Sequence, residues 1–133
     1  MSASAPNGSS NVSGGRARFP RSARLLRHAD FERVYKQGRR HFAAHMTVFY
    51  LARAEGEGRR VGFTVGRVLG GAVQRNRMKR RLREAVRLQR PAEGAAVDVV
   101  INPKKSLLNA DFAELQNEIS RAFEVIRKSL ERR

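Results

Sequence analysis

Residues 74–87 constrain the fold of this chain more than any other stretch, because they are strongly basic and yet keep a helical period. At about 100° per residue, the apolar side chains of this stretch fall on one narrow arc of a helical wheel, namely Met78, Leu82, Ala85 and Val86. The opposite side carries Asn76, Arg80, Arg83 and Arg87, with Arg77 and Lys79 on the flanks. The pattern predicts a helix that docks one face on a core and presents a rigid ridge of guanidinium groups on the other.

Such a ridge suits a partner that carries phosphate groups. A planar guanidinium binds phosphate through two parallel hydrogen bonds and can also stack on a base. The alternative interpretation is an ordinary solvated helix face. Faces of that kind mix charges of both signs, whereas Glu84 is the only acidic residue in this stretch. We therefore favour a binding surface for a polyanion.

The whole chain shares this charge imbalance. It has 28 Lys and Arg residues against 12 Asp and Glu, a formal net charge of +16. Because such an excess opposes folding by self-repulsion, it indicates a polyanionic partner, with nucleic acid as the first candidate and an anionic membrane as the second. The membrane is disfavoured, since no apolar run approaches the roughly 18 residues that span a bilayer. The basic stretch also lacks the Trp, Phe and Leu face of an interfacial anchor.

The length of 133 residues predicts one domain, residues 16–133, preceded by a disordered tail, residues 1–15. The tail consists of small and polar residues that cannot bury enough surface to offset the entropy cost of ordering. The arginine-rich arm over residues 16–27 is either a second phosphate-contacting element or a solubilising lead-in. The lack of cysteine excludes disulfides and thiolate metal sites. The N-terminus lacks the apolar segment of a signal peptide, which predicts a cytoplasmic protein.

Residues 29–37 predict a short helix. Asp30 lies in its first turn, where a negative charge favours the helix dipole, and Gly38 is placed as the C′ residue that ends it. The spacing i, i+3, i+4 puts Phe31, Val34 and Tyr35 on one face. We interpret that face as core packing.

The middle of the chain predicts a sheet. Residues 45–54 are rich in β-branched and aromatic residues and predict a strand, and residues 60–65 predict the returning strand of a hairpin. Period 2 along the first strand places Thr47, Phe49 and Leu51 on one face and Met46, Val48 and Tyr50 on the other. A helix over residues 72–89 followed by the apolar run 97–101 predicts two parallel strands joined by a helical crossover. Asn109 is expected to cap a final helix whose apolar stripe packs on the sheet.

The titratable residues show no catalytic pattern. Asp30, Asp98 and Asp111 are scattered over different predicted elements, whereas a metal-dependent protein nuclease needs clustered carboxylates. We interpret Asp98 as structural. His41 and His45 have the i, i+4 spacing of a helical metal pair, but they lie in predicted extended structure with no cysteine or carboxylate nearby, so no metal site is predicted there. The chain is expected to bind a polyanion without itself carrying bond-breaking groups.

Several stretches together resemble one protein family. The basic helix reads Arg75-Asn76-Arg77-Met78-Lys79-Arg80-Arg81-Leu82-Arg83 and follows Val61-Gly62-Phe63-Thr64-Val65 and the pair Gly70-Gly71. Residues 26–38 upstream and the run Asp98-Val99-Val100-Ile101-Asn102-Pro103 downstream complete the pattern. Over about residues 16–130, the chain resembles the protein subunit of bacterial ribonuclease P.

The resemblance implies a small α/β fold, with a mixed sheet flanked by helices and a left-handed βαβ crossover. It implies that a catalytic RNA subunit, using Mg²⁺ ions bound mainly by RNA, removes the 5′ leader from precursor tRNA. The protein would bind that catalytic RNA and the precursor tRNA, with no small-molecule cofactor, no catalytic residue and no metal ligand of its own. The positions implied for catalytic RNA are Arg75, Asn76, Arg77, Lys79, Arg80 and Arg83. The positions implied for the leader are Phe31, Tyr35 and Phe49, in a cleft between the first helix and the sheet, together with Arg67.

One position departs from the family. Where its members often have Ser-Lys-Lys before the glycine turn, this chain has Gly66-Arg67-Val68, so one of two charges is kept and the other is lost. Two other functions fit the same charge pattern. A structural RNA-binding protein, such as a ribosomal component, would not affect precursor processing, and a DNA-compacting protein would prefer duplex DNA to structured RNA.

Overall fold

The computed structural model describes residue 24, residues 27–54, residue 56, residues 58–89 and residues 96–131. The predicted tail and most of the arginine-rich arm lie outside the described residues. The helices are α1 (His28–Gln37), α2 (Ala72–Arg87) and α3 (Phe112–Glu131), and the strands are β1 (Arg39–Phe42), β2 (Met46–Ala52), β3 (Arg59–Phe63) and β4 (Val97–Pro103). Two 3₁₀ turns, Arg67–Leu69 and Lys105–Asn109, precede α2 and α3. Within these ranges, no helix is both long and apolar enough to cross a bilayer.

The four strands form one mixed sheet in the order β1-β2-β4-β3. The predicted hairpin between β2 and β3 is wrong, because β4 lies between them, antiparallel to β2 and parallel to β3. Residues 97–101 of β4 are all buried, and a strand that is apolar on both faces is most stable in the interior of a sheet. The predicted parallel pair with a helical connection is confirmed as β3, α2 and β4.

The hairpin of this fold joins β1 to β2, with Arg39 opposite Tyr50 and Phe42 opposite Thr47. The sequence pattern did not predict β1. Its residues, Arg39 to Phe42, are largely exposed and show no alternation of apolar and polar side chains. A short basic strand at the edge of a sheet needs no apolar face, and its charge discourages pairing with another chain.

Helices cover both faces of the sheet. On one face, α2 and α3 pack against Met46, Val48 and Tyr50 of β2 and their neighbours in β3 and β4. On the other, Val34 of α1 is fully buried against Val100. The predicted alternation along β2 is therefore confirmed, and the sheet forms the middle layer of three. Asn109 ends the second 3₁₀ turn, and α3 begins three residues later at Phe112, so the predicted cap at Asn109 is wrong.

Gly38 ends α1 as predicted, but for a different physical reason. Its φ of −82° is an ordinary extended value, not the left-handed conformation of a typical C′ glycine. A Cβ at this position would lie 2.5 Å from the carbonyl oxygen of Val34 and 2.6 Å from that of Tyr50. The glycine is required because the end of α1 approaches the backbone of β2 so closely.

Candidate nucleic-acid interface

The faces of α2 are arranged as the sequence predicts. Its buried residues are Met78, Leu82, Ala85 and Val86, the same four that share one arc of the helical wheel. The exposed residues on the other side include Asn76, Arg77, Arg80 and Arg83. The apolar arc anchors the helix on the core, so the exposed arginines project from a rigid support.

Not every basic residue of α2 is available to a partner. The guanidinium of Arg81 donates hydrogen bonds to the carbonyl oxygens of Leu107 (2.5 Å), Leu108 (3.1 Å) and Ala110. It therefore ties α2 to the turn before α3. Arg87 pairs with Glu84 one turn away. These contacts assign structural roles to two arginines of the basic stretch.

Arg77, Arg80 and Arg83 differ from these two. No carboxylate among the described residues lies within ion-pair distance of their guanidinium groups. Arg75 is half-buried, and its Nε is enclosed without a hydrogen-bond partner in the described structure. A shallow concavity of about 460 Å³ runs along this face, lined by Val73, Asn76, Lys79, Arg80 and Arg83. A surface of unpaired guanidinium groups is the arrangement that phosphate recognition requires.

A second concavity, of about 390 Å³, opens between α1 and the end of β3. Its lining residues are His28, Phe31, Glu32, Tyr35, Phe63, Thr64, Val65 and Lys79. Lys79 lines both concavities, so the basic face of α2 and this aromatic concavity form one continuous surface.

Tyr35 is held in one orientation inside the aromatic concavity. Its hydroxyl donates to Asn102 Oδ1 at 2.9 Å and lies 2.6 Å from Thr64 Oγ1, which then acts as the donor. The ring meets that of Phe49 edge to face, with centroids 4.9 Å apart. The guanidinium carbon of Arg40 lies 5.5 Å from the centroid of Phe49. Phe49 thus packs against Tyr35 without being among the residues that line the concavity, as Phe31 and Tyr35 are.

The interpretation of the α1 face as core is right for Val34, which is fully buried. Phe31 and Tyr35 are half-buried, because each packs against the Val34–Val100 cluster and also lines the concavity. Arg67 is exposed on the first 3₁₀ turn, outside the residues that line either concavity.

Sequence reasoning missed the polar side of this concavity. Thr64 and Asn102 lie on adjacent parallel segments, where the backbone N–H of Thr64 donates to the carbonyl of Ile101 at 3.0 Å. Their side chains meet Tyr35 for that reason. The signal for this pairing was the parallel β3–β4 prediction, which brings the ends of both strands to one edge of the sheet.

Asp98 lies below α1 and is fully buried. Three guanidinium groups bind its carboxylate, from Arg33 at 2.9 Å, Arg53 at 2.8 Å and Arg60 at 2.8 Å. Burial alone would raise the pKa of Asp98, but the hydrogen bonds from Arg60 and Arg53 outweigh it and hold the pKa below its usual value. The structure supports the structural interpretation of Asp98, as the centre of an ion-pair network that joins α1 to the sheet.

The structure also corrects the environment predicted for His45. Two carboxylates from α3 approach its ring, Glu114 at 3.1 Å and Glu118 at 3.7 Å from Nε2. These three are the one group of side chains among the described residues with the donor types and spacing of a metal site. His41 is not part of the group.

The family profile of ribonuclease P matches residues 19–127 of the chain. The chain belongs to the ribonuclease P protein family. The ribonuclease P protein component of Symbiobacterium thermophilum is 42% identical over 101 residues, which cover 76% of this chain and 88% of that protein. The component of Geobacter sp. (strain M21) is 39% identical over 110 residues, which cover 83% of this chain and 93% of that protein.

Solved structures of this family share the fold. The Staphylococcus aureus ribonuclease P protein superposes with a TM-score of 0.68 at 26% identity, over 78% of this chain and 94% of that one. The Thermotoga maritima protein gives 0.64 at 27% identity, over 74% and 93%. Family membership makes this chain the protein component of the enzyme that processes tRNA 5′ ends, and it implies partnership with an RNA component and a tRNA substrate.

Proposed function

We propose that the exposed face of α2 binds the catalytic RNA of ribonuclease P and that the aromatic concavity binds the 5′ leader of precursor tRNA. One observation carries the proposal: arginines on a rigid helix, with no carboxylate of the described residues in ion-pair reach, adjoin an aromatic concavity, and Lys79 lines both this concavity and the one along α2. A phosphate backbone that runs from one concavity to the other would pass Lys79. The protein would then hold the leader in a fixed position relative to the catalytic RNA.

The chemistry of the aromatic concavity suits an unpaired strand. Phe31 and Tyr35 offer ring surfaces on which a base can stack, and such stacking tolerates any sequence because every base has a π face. Tyr35 is already held by Thr64 and Asn102, so binding a base costs little further loss of side-chain freedom. Arg67, on the turn between β3 and α2, would add a phosphate contact for a leader that leaves the concavity on that side.

In this proposal, the magnesium ions are bound by the RNA. Mg²⁺ prefers six oxygen ligands in octahedral geometry. The one group of three possible ligands among the described residues includes the nitrogen of His45, a donor that suits Zn²⁺ better than Mg²⁺. We therefore assign hydrolysis of the phosphodiester to the RNA and its magnesium ions, and to this chain the binding and orientation of both RNAs.

Reconstitution with a ribonuclease P RNA at low Mg²⁺ concentration tests this function. The protein is expected to stimulate cleavage at the 5′ end of precursor tRNA, because it neutralises phosphate charge that Mg²⁺ otherwise screens. A triple variant with Arg77, Arg80 and Arg83 changed to Ala is expected to lose most of the stimulation.

The matched control removes three positive charges from α3 instead, at Arg121, Arg127 and Lys128. Equal loss in both triple variants would show that net charge, not the face of α2, drives stimulation. A structural RNA-binding protein would bind the RNA without accelerating cleavage at all.

A further inference from the structure

His45, Glu114 and Glu118 come together from distant parts of the chain, on the side of the fold that faces away from α1. His45 precedes β2, and the two glutamates lie four residues apart in the first turns of α3. One ligand atom from each residue lies within 4.8 Å of the others. Two of the 12 acidic residues of a chain with a net charge of +16 thus meet at one imidazole.

The distances suit a metal ion as well as a hydrogen-bonded pair. Zn²⁺ binds histidine nitrogen and carboxylate oxygen at about 2.0–2.2 Å, so tetrahedral ligand atoms lie roughly 3.3–3.5 Å apart. His45 Nε2 lies 3.1 Å from Glu114 Oε2 and 3.7 Å from Glu118 Oε2, on either side of that spacing. Two of the three ligand separations are therefore close to those around a tetrahedral ion, and all three lie within 4.8 Å.

Two further contacts orient the three side chains. The hydroxyl of Ser106 lies 2.8 Å from His45 Nδ1. When a metal ion takes the place of the hydrogen bond from Nε2 to Glu114, Nδ1–H can donate to this hydroxyl and the lone pair of Nε2 binds the ion. The backbone N–H of His45 donates to Glu118 Oε1 at 3.0 Å, which leaves Oε2 of the same carboxylate for an ion. Contacts of this kind orient ligands in metal sites.

The charges point the same way. Two carboxylates and a neutral imidazole carry a charge of −2, which a divalent cation neutralises. The ammonium of Lys104 donates a hydrogen bond to the backbone oxygen of Ala43 at 3.1 Å, and not to these carboxylates. The side chain of Glu114 is 56% exposed, so the fourth ligand position is open to water.

We propose that His45, Glu114 and Glu118 bind a divalent transition-metal ion of the Zn²⁺ type and so fasten the start of α3 to the β1–β2 hairpin. The site is separate from the RNA-binding surface and from magnesium. It would stabilise the fold of the protein in the absence of RNA.

Calorimetric titration of the full-length protein with Zn²⁺, after treatment with a chelator, tests the site. We expect one saturable site per chain, a higher Tm with Zn²⁺, and at least about tenfold weaker binding in Glu114→Gln, since even removal of a group that only supports a ligand costs about 10–100-fold. His45→Gln is expected to remove the site, and Ser106→Ala to weaken it about tenfold.

Two control variants should bind Zn²⁺ as the parent does. His28→Gln removes the histidine of a pair with a single carboxylate, Glu32, 2.7 Å away, and Glu124→Gln removes a carboxylate of α3 that pairs with Arg127. Unchanged Zn²⁺ affinity in Glu114→Gln, which is exposed enough to leave folding intact, would overturn the proposal. So would a parent protein whose Tm does not respond to Zn²⁺, because hydrogen bonds alone would then account for the group.

Discussion

Two groups of arginines in this protein have opposite roles. Arg33, Arg53 and Arg60 surround the buried carboxylate of Asp98, while Arg77, Arg80 and Arg83 project from α2 with no described carboxylate in reach. The first group uses its hydrogen-bonding capacity within the fold, and the second keeps it for a partner. The comparison teaches that arginine content alone does not locate the binding surface, because the position of the acidic residues decides which arginines remain available.

The largest expected effect comes from the α2 group. Changing Arg77, Arg80 and Arg83 to Ala should weaken binding to ribonuclease P RNA by at least about a hundredfold, since each charged hydrogen bond contributes about 1.5–3 kcal/mol. The slope of log affinity against log salt should fall by about one for each phosphate that the variant no longer binds. Filter binding over a salt series measures the affinity and the slope. An unchanged slope would show that this face of α2 does not contact RNA phosphates.

The second prediction concerns the arginines that surround Asp98. Asp98→Asn should lower the free energy of unfolding by about 3 kcal/mol, the lower end for a broken buried ion pair, because Arg33 and Arg60 can still reach water. RNA affinity below the unfolding temperature should stay near that of the parent. Denaturant unfolding measures the decrease in stability, with the exposed Asp111→Asn as control. A stable Asp98→Asn protein that no longer binds RNA would reverse the roles assigned to the two groups.

The pH dependence of stability sharpens the same comparison. The pKa of Asp98 is lower in the folded state than in the unfolded state, so its contribution is fully present above the ordinary aspartate pKa of about 3.9. It is lost as the pH falls through the folded value, where the folded carboxylate takes up its proton. The difference in unfolding free energy between parent and Asp98→Asn should therefore shrink below about pH 4. A constant difference down to the lowest pH would show that the charge of Asp98 is not what stabilises the fold.

A smaller effect is expected for the aromatic concavity than for the arginines of α2. Phe31→Ala should weaken binding of leader-bearing precursor tRNA by about 1–3 kcal/mol, the contribution of one stacked base, and should leave mature tRNA unaffected. The control is Phe42→Ala, which removes an aromatic ring that is 68% exposed on the edge strand, outside the concavity. Equal weakening for precursor and mature tRNA would mean that Phe31 acts through the fold.

The smallest effect tests the orientation of Tyr35. Tyr35→Phe keeps the ring and removes the hydroxyl that Thr64 and Asn102 hold, so precursor binding should weaken by about 0.5–1.5 kcal/mol. Competition binding against the parent resolves a change of this size. Full retention of affinity would show that packing against Phe49 is enough to orient the ring.

Local patterns in the sequence determined the three helices, the strands β2, β3 and β4, and the faces of α2. The positions of Met78, Leu82, Ala85 and Val86 follow from helical geometry alone, because residues three and four apart share a face whatever the rest of the chain does. The same holds for the alternation along β2 and for the parallel relation of β3 and β4. The residues of the family motif could be named for the same reason, since they lie close together in sequence.

Only the tertiary structure decided the order of the strands and the partners of the charged residues. Asp98 meets Arg33 across 65 positions, and His45 meets Glu118 across 73. No periodicity links residues so far apart, and any strand of suitable hydrophobicity could have paired with β2. The apolar run of β4 is stabilised most in the centre of the sheet, and that global preference for burial placed the carboxylate of Asp98 among three arginines.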